Sequence, residues 1–164
     1  MPTPAQQAKY DSFKVLFLGA TPDRPKWLRT DVAIAQAVLE SGWGTSDLWV
    51  LRRNPFGMGC NSRGYQSRCY VRTSDGQRFA EYDDYKNAMR DYVARMVQFD
   101  KTNGYSSART LDEYLLALNP TDGRPRYAIE QGYNRVVKEI MAGQDPSIVL
   151  EPANPDPSPL PLPK

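Results

Sequence analysis

The run VAIAQAVLESGWG, residues 32–44, constrains the fold of this chain more than any other stretch. On a helical wheel, Val32, Ile34, Ala35, Val38 and Leu39 cover one broad side, while Gln36 and Glu40 stand four apart on the other, flanked by Ala33 and Ala37. A solvated face normally carries several charged side chains, so a stripe of Ala, Gln, Ala and Glu reads as the floor of a cleft. Asp31 is placed to cap a helix over residues 32–41, and Gly42 is placed to end it. Glu40 then lies in the last turn, where the negative end of the helix dipole opposes its ionisation by about 0.3 to 1 kcal/mol and where Trp43 can cover it. Both influences favour the protonated carboxyl, the form required of a general acid. The competing reading is an ordinary surface glutamate near a helix end.

The chain has 164 residues, enough for one compact domain with a core. Its 21 Lys and Arg against 19 Asp and Glu create no basic field of the kind that attracts nucleic acid, so no nucleic-acid partner is expected. It contains no histidine, which excludes His-based triads, imidazole acid-base chemistry and His metal ligands. No metal or cofactor is expected, and proton transfer falls to carboxylates, tyrosines or lysines. No apolar run approaches the roughly 20 residues of a membrane span, and the first residues, MPTPAQQAKYDSF, lack a signal-peptide pattern. Cys60 and Cys69 flank a polar segment, a spacing unsuited to zinc; they are either one bridge closing a small loop or two free thiols.

Periodicity predicts helices over residues 5–18, in a short segment after Thr45 or Ser46, over 84–99 with Ala88, Met89, Tyr92, Val93, Met96 and Val97 buried, over 111–118 and over 127–141. CYVRT and RFAEY, separated by Ser74-Asp75-Gly76-Gln77, predict one β-hairpin. The fold class is therefore mainly α (α+β). Residues 145–164 hold seven prolines and read as an extended tail following a domain over residues 1–144. A protein partner is the expected use of such a tail.

The words around Glu40 carry a resemblance. AIAQAVLESGWGTSDL followed by RRNPFGM is similar to the signature of the bacterial N-acetylglucosaminidase family of peptidoglycan hydrolases, which includes flagellar rod-associated and Bax-like glucosaminidases. The matching positions are Ala35, Gln36, Ala37, Leu39, Glu40, Ser41, Trp43, Gly44, Ser46, Asn54, Phe56 and Gly57. FAEYDDYKNAMRDY and YAIEQGY extend the likeness, which covers about residues 30–142. The resemblance implies a lysozyme-like helical domain with a small β-hairpin lobe flanking a cleft. It implies hydrolysis of the β-1,4 bond after N-acetylglucosamine in peptidoglycan glycan strands, and work in the periplasm or cell wall, by export or by delivery from a phage.

By that resemblance Glu40 is the proton donor and Tyr127 lines the cleft and assists the transition state; the competing reading of Tyr127 is a packing aromatic at a helix start. Gln36, Trp43, Asn54, Phe56 and Tyr133 are candidate substrate contacts. Trp43 and Phe56 either stack on sugars or pack the helix–loop junction. Asn54 either bonds an acetamido group or sets the turn before Pro55, and Tyr133 reads chiefly as packing. Family members tend to carry a second acid on the first hairpin strand, where CYVRT has none. With Asp75-Gly76 as the two turn residues, antiparallel counting pairs Arg72 with Phe79 and Tyr70 with Glu81, which brings Glu81 near that place. Glu81 is the substitute candidate, Asp83 and Asp84 read as caps, and the substrate's own acetamido group is the remaining nucleophile. The competing functions are a lytic transglycosylase or muramidase on the same strands, and a non-catalytic wall-binding or virion structural protein.

Overall fold

The computed structural model describes residues 3–42, 44–128 and 132–143. Trp43 and the proline-rich residues 145–164 lie outside the described residues. Helix α1 (Pro4–Ala20) is opened by a reciprocal cap in which the Thr3 hydroxyl accepts from Gln6 and the Gln6 side chain accepts from the Thr3 amide. Next come α2 (Thr30–Ser41), the one-turn α3 (Asp47–Val50), the strands β1 (Arg68–Val71) and β2 (Arg78–Glu81), α4 (Tyr85–Asn103), a 3-10 turn (Tyr105–Ser107), α5 (Leu111–Leu118) and α6 (Tyr133–Met141).

Helix α2 is the buried axis of the domain. Val32, Ala33, Ile34, Ala35, Gln36, Ala37 and Val38 are all 4% exposed or less, with α1 on one side and α6 on another. The expected cleft floor is therefore corrected: the small side chains of Ala33 and Ala37 let neighbouring elements close over the stripe, and Gln36 lies inside the protein. The helix emerges only towards its ends, where Thr30 and Asp31 in the first turn and Leu39 and Glu40 in the last are half-buried. Gly42 ends the helix in the left-handed conformation, as expected, with φ 55°. The N-terminal cap is Arg29, not Asp31; Asp31 sits in the first turn, where it pairs with Arg29 at 2.8 Å and accepts from the Val32 amide.

The hairpin forms where expected, but in a different register. Tyr70 faces Phe79 and Arg68 faces Glu81. The connection is four residues, 73–76, closed by the Arg72 amide on the Gln77 carbonyl at 2.8 Å, with Gly76 at φ 69° and an Arg72–Asp75 ion pair across it. The guanidinium of Arg72 draws Asp75 into the wider turn. A two-residue slip preserves the faces, so Phe79 and Glu81 still point inward.

Helix α4 buries Ala88, Met89, Tyr92, Met96 and Phe99, but Val97 is 45% exposed and Val93 only half-buried, because the inward face also takes Asp91 and Arg95. Asp84 caps this helix. Asp91, fully buried, holds Arg63, Tyr82 and Asn61, and so ties the loop before β1 to α4. Cys60 and Cys69 are bridged, with Cα atoms 5.5 Å apart, which closes the same loop. The expected last helix is shorter at its start: Gly132, at φ 76°, precedes α6, and Tyr127 and Ala128 lie in non-helical chain.

Opening the Cys60–Cys69 bridge removes a constraint on a short loop, worth roughly 2 to 3 kcal/mol on the chain-entropy account. Urea unfolding of Cys60→Ser/Cys69→Ser should show a stability loss of that order, and a reductant should lower the parent's midpoint while leaving the double variant's unchanged.

Candidate active site

The site is built where three pieces of chain converge on the end of α2. The first is the loop after α3. Asn54 is 1% exposed; its amide donates to the carbonyls of Met58 at 2.7 Å and Ala80 at 2.8 Å, and its oxygen accepts from the Met58 amide at 2.9 Å. The Ala80 amide in turn donates to Met58. This stitching lays residues 54–58 along β2 and brings Gly57 against Glu40. Gly57 has φ 62°, and a β-carbon there would stand 2.8 Å from Glu40 Oε2. The positive φ favours glycine, and a β-carbon would force the Glu40 carboxyl to shift.

The second piece is the chain before α6. Tyr127 is 1% exposed, and its hydroxyl donates to the Phe56 carbonyl at 2.7 Å, holding the glycine loop from the opposite side. The buried Arg95 guanidinium lies 4.3 Å from the centre of the Tyr127 ring. The third piece is α6 itself, whose first residue, Tyr133, donates its hydroxyl hydrogen to Glu40 Oε1 at 3.0 Å. Tyr133 also receives the Gln36 amide, at 3.4 Å, and Gln36 Oε1 accepts from Tyr92 at 2.5 Å. Burial, and then the Glu40 charge, push the Tyr133 phenol well above its ordinary range. Burial likewise raises Tyr127, against the lowering effect of Arg95. Both phenols therefore stay protonated across the working range of an enzyme, as hydrogen-bond donors and not bases.

The sequence candidates separate on this geometry. Glu40, Tyr133 and Gln36 are brought together, with Tyr127 one contact away. Phe56 is fully buried, its ring stacked on Tyr92 at 4.4 Å and flanked by Phe13 and Phe17, so it packs the core and has no open face for a sugar. Asn54 and Gln36 are likewise committed to internal partners, which corrects their reading as substrate contacts. Glu81 is 7% exposed, and its two oxygens are held by Arg52 at 3.0 Å and Arg68 at 2.9 Å. Water activation by Glu81 would have to use the lone pairs that the two arginines leave open, on a carboxylate they hold at the base of the hairpin. Gly57 and Tyr92 were not singled out for a role from sequence. Gly57 carried a signal, a glycine closing the Asn-Pro-Phe-Gly turn; Tyr92 carried none beyond helical periodicity.

A half-buried carboxyl between a glycine backbone and a buried phenol, with aromatic walls behind it, has the makings of a proton-donating hydrolase site. The family model described as mannosyl-glycoprotein endo-beta-N-acetylglucosaminidase matches residues 26–145, and the chain belongs to this glucosaminidase family. It is accordingly a glycoside hydrolase. Among solved structures, it is similar to the catalytic domain of the autolysin Auto from Listeria monocytogenes, at 22% identity and TM-score 0.62, over 90% of this chain and 88% of that one. The glycoside hydrolase domain of FlgJ from Salmonella typhimurium matches at 22% identity and TM-score 0.61, over 84% and 87%. A type VI secretion system effector-immunity complex from Pseudomonas protegens follows at 16% identity and TM-score 0.56, over 85% and 91%. No curated protein matches. The fold is thus the lysozyme-like one, mostly helical with a two-stranded sheet.

Gly57→Ala should abolish turnover almost entirely while the protein stays folded. The added methyl displaces the Glu40 carboxyl and strains a positive φ, for a stability loss of about 1 to 2 kcal/mol. Wall-lysis rate and thermal melting, measured side by side, check both halves.

Proposed function

We propose that this protein hydrolyses the β-1,4 bond after N-acetylglucosamine in peptidoglycan glycan strands, with Glu40 as the general acid. The observation that carries the reading is the seat of Glu40: the last turn of a buried helix, half-covered, with Oε2 against Gly57 and Oε1 bonded by Tyr133. Partial burial and the helix terminus favour a carboxyl that keeps its hydrogen until the glycosidic oxygen begins to take negative charge. Family membership and the likeness to an autolysin domain support a peptidoglycan substrate and extracytoplasmic work. Among the described residues no helix is long and apolar enough to cross a membrane.

For the second half of the reaction, the two-arginine clasp on Glu81 favours attack by the substrate's own 2-acetamido oxygen on C1 over activation of water by Glu81. Glu40 protonates the departing oxygen. The ring intermediate is then opened by water, whose proton returns to the Glu40 carboxylate. In this reading Glu81 is structural, holding the base of the hairpin to the chain after α3.

Glu40→Gln should lower the rate on purified walls by about 10² to 10⁴, and mass spectrometry of the parent's muropeptides should show reducing N-acetylglucosamine ends. Anhydro-muramyl ends would instead make the protein a transglycosylase, and full activity in the Gln variant would remove Glu40 from the chemistry. Glu81→Gln should melt at a lower temperature yet keep kcat within about threefold of the parent, since only a structural ion pair is lost. A loss as deep as that of Glu40→Gln would return Glu81 to the role of base.

A further inference from the structure

We infer that Arg95 is a positioning residue whose buried positive charge, laid over the ring of Tyr127, serves the site and not the fold. Through the Tyr127 hydroxyl it tightens the hold on the Phe56 carbonyl, and so on the loop that seats Gly57 against Glu40. The inference rests on Glu40 being the acid, but the contact between Arg95 and Tyr127 is tested independently of it.

A charge inside a protein is destabilising unless it is paired and hydrogen-bonded. Arg95, in the middle of α4, is 1% exposed. Among the described residues no carboxylate forms a salt bridge with it, and its Nε and Nη1 have no hydrogen-bond acceptor in the protein. The acid placed to meet it is Asp91, one turn earlier on the same face of α4. Asp91 is engaged elsewhere: Oδ1 accepts from Arg63, and Oδ2 accepts from the Tyr82 hydroxyl and from Asn61 Nδ2 at 2.9 Å. Its carboxylate is therefore satisfied without Arg95. What lies against the guanidinium is aromatic, with the Tyr127 ring centre at 4.3 Å and the Phe99 ring centre at 5.0 Å. An apolar side chain of the same length would fill this space with no charge to bury.

The charge has an effect that the apolar side chain would lack. A cation over a π face is attracted to it and draws electron density from the ring. In a phenol that makes the O–H a stronger donor, and the Tyr127 hydroxyl donates to the Phe56 carbonyl at 2.7 Å. Burial raises the Tyr127 phenol, and the Arg95 charge is the first influence that lowers it. Tyr92 and Tyr105 are raised by burial and lowered by the same charge, but it is the Tyr127 ring over which the guanidinium is laid.

The path from this bond to the site is short. The Phe56 carbonyl belongs to the peptide unit that enters Gly57, so the firmness of one hydrogen bond bears directly on the backbone that meets the Glu40 carboxyl. Tyr127 thus stands between charges of opposite sign, with Glu40 raising its phenol and Arg95, followed by Arg63, lowering it. Arg63 is already committed to Asp91, which leaves Arg95 as the cation whose charge can be removed without breaking an ion pair.

The test uses the full-length protein labelled with 13C at the tyrosine Cζ, the Tyr127 resonance being identified by its loss in Tyr127→Phe. Arg95→Met removes the charge and keeps the length of the side chain. It should move the Tyr127 resonance upfield, leave the melting temperature unchanged or higher, and lower kcat on soluble glycan strands about tenfold with KM unchanged. Tyr127→Phe should lower kcat at least as far, and adding Arg95→Met to it should cost nothing more, because both changes break one path. Phe99→Leu, which loosens the same packing and keeps the charge, should melt lower while kcat and the Tyr127 resonance stay near the parent's. The inference is overturned if Arg95→Met melts clearly below the parent or fails to fold, since the charge would then be serving the fold. It is equally overturned if the Tyr127 resonance does not move, or if the two losses in kcat multiply in the double variant. Because resonance and melting are read without turnover, they judge the contact even if Glu40→Gln proves active and the assignment of the acid fails.

Discussion

The close seating of α6 on α2, where Gln36 and Glu40 both meet Tyr133, is the constraint from which the rest of this site follows. With α6 close, its first residue reaches the end of α2, and one phenol meets one carboxyl across 93 positions of sequence. The same closeness seals Gln36 from water and makes an internal amide tolerable only as part of a chain of bonds.

Two further contacts act as a vice on the loop that carries Gly57. Asn54 stitches one end of the loop to β2, and Tyr127 holds the Phe56 carbonyl from the far lobe. Neither residue needs to touch a sugar to matter. Their effect is to hold the Gly57 backbone against the Glu40 carboxyl. The aromatic cluster of Phe13, Phe17, Phe56 and Tyr92 supports the loop from below and gives it a stiff floor.

Local features were legible in the sequence, and long-range ones were not. The end of α2 at Gly42, the cap of α4 at Asp84 and the existence of the hairpin follow from residue chemistry within a few positions. The hairpin register was misjudged because Asp-Gly is the strongest short-turn signal, yet the Arg72–Asp75 pair widens this turn. Gln36 was taken for a surface residue of a cleft because a helical wheel shows which side of a helix is polar, not what covers it. Phe56 matched a motif, but a motif does not say which way a ring faces. The family words around Glu40 point to the carboxyl proposed as the acid; the phenol that bonds it comes from a residue that the sequence reads mainly as packing. No local pattern announces a contact between Tyr133 and a helix so far upstream.

Gly57 has one more consequence, which concerns descent and not chemistry. Any residue that replaces a glycine brings a β-carbon, and here that atom would crowd the Glu40 carboxylate, so a relative that seats this carboxylate as it is seated here is expected to keep glycine at the position.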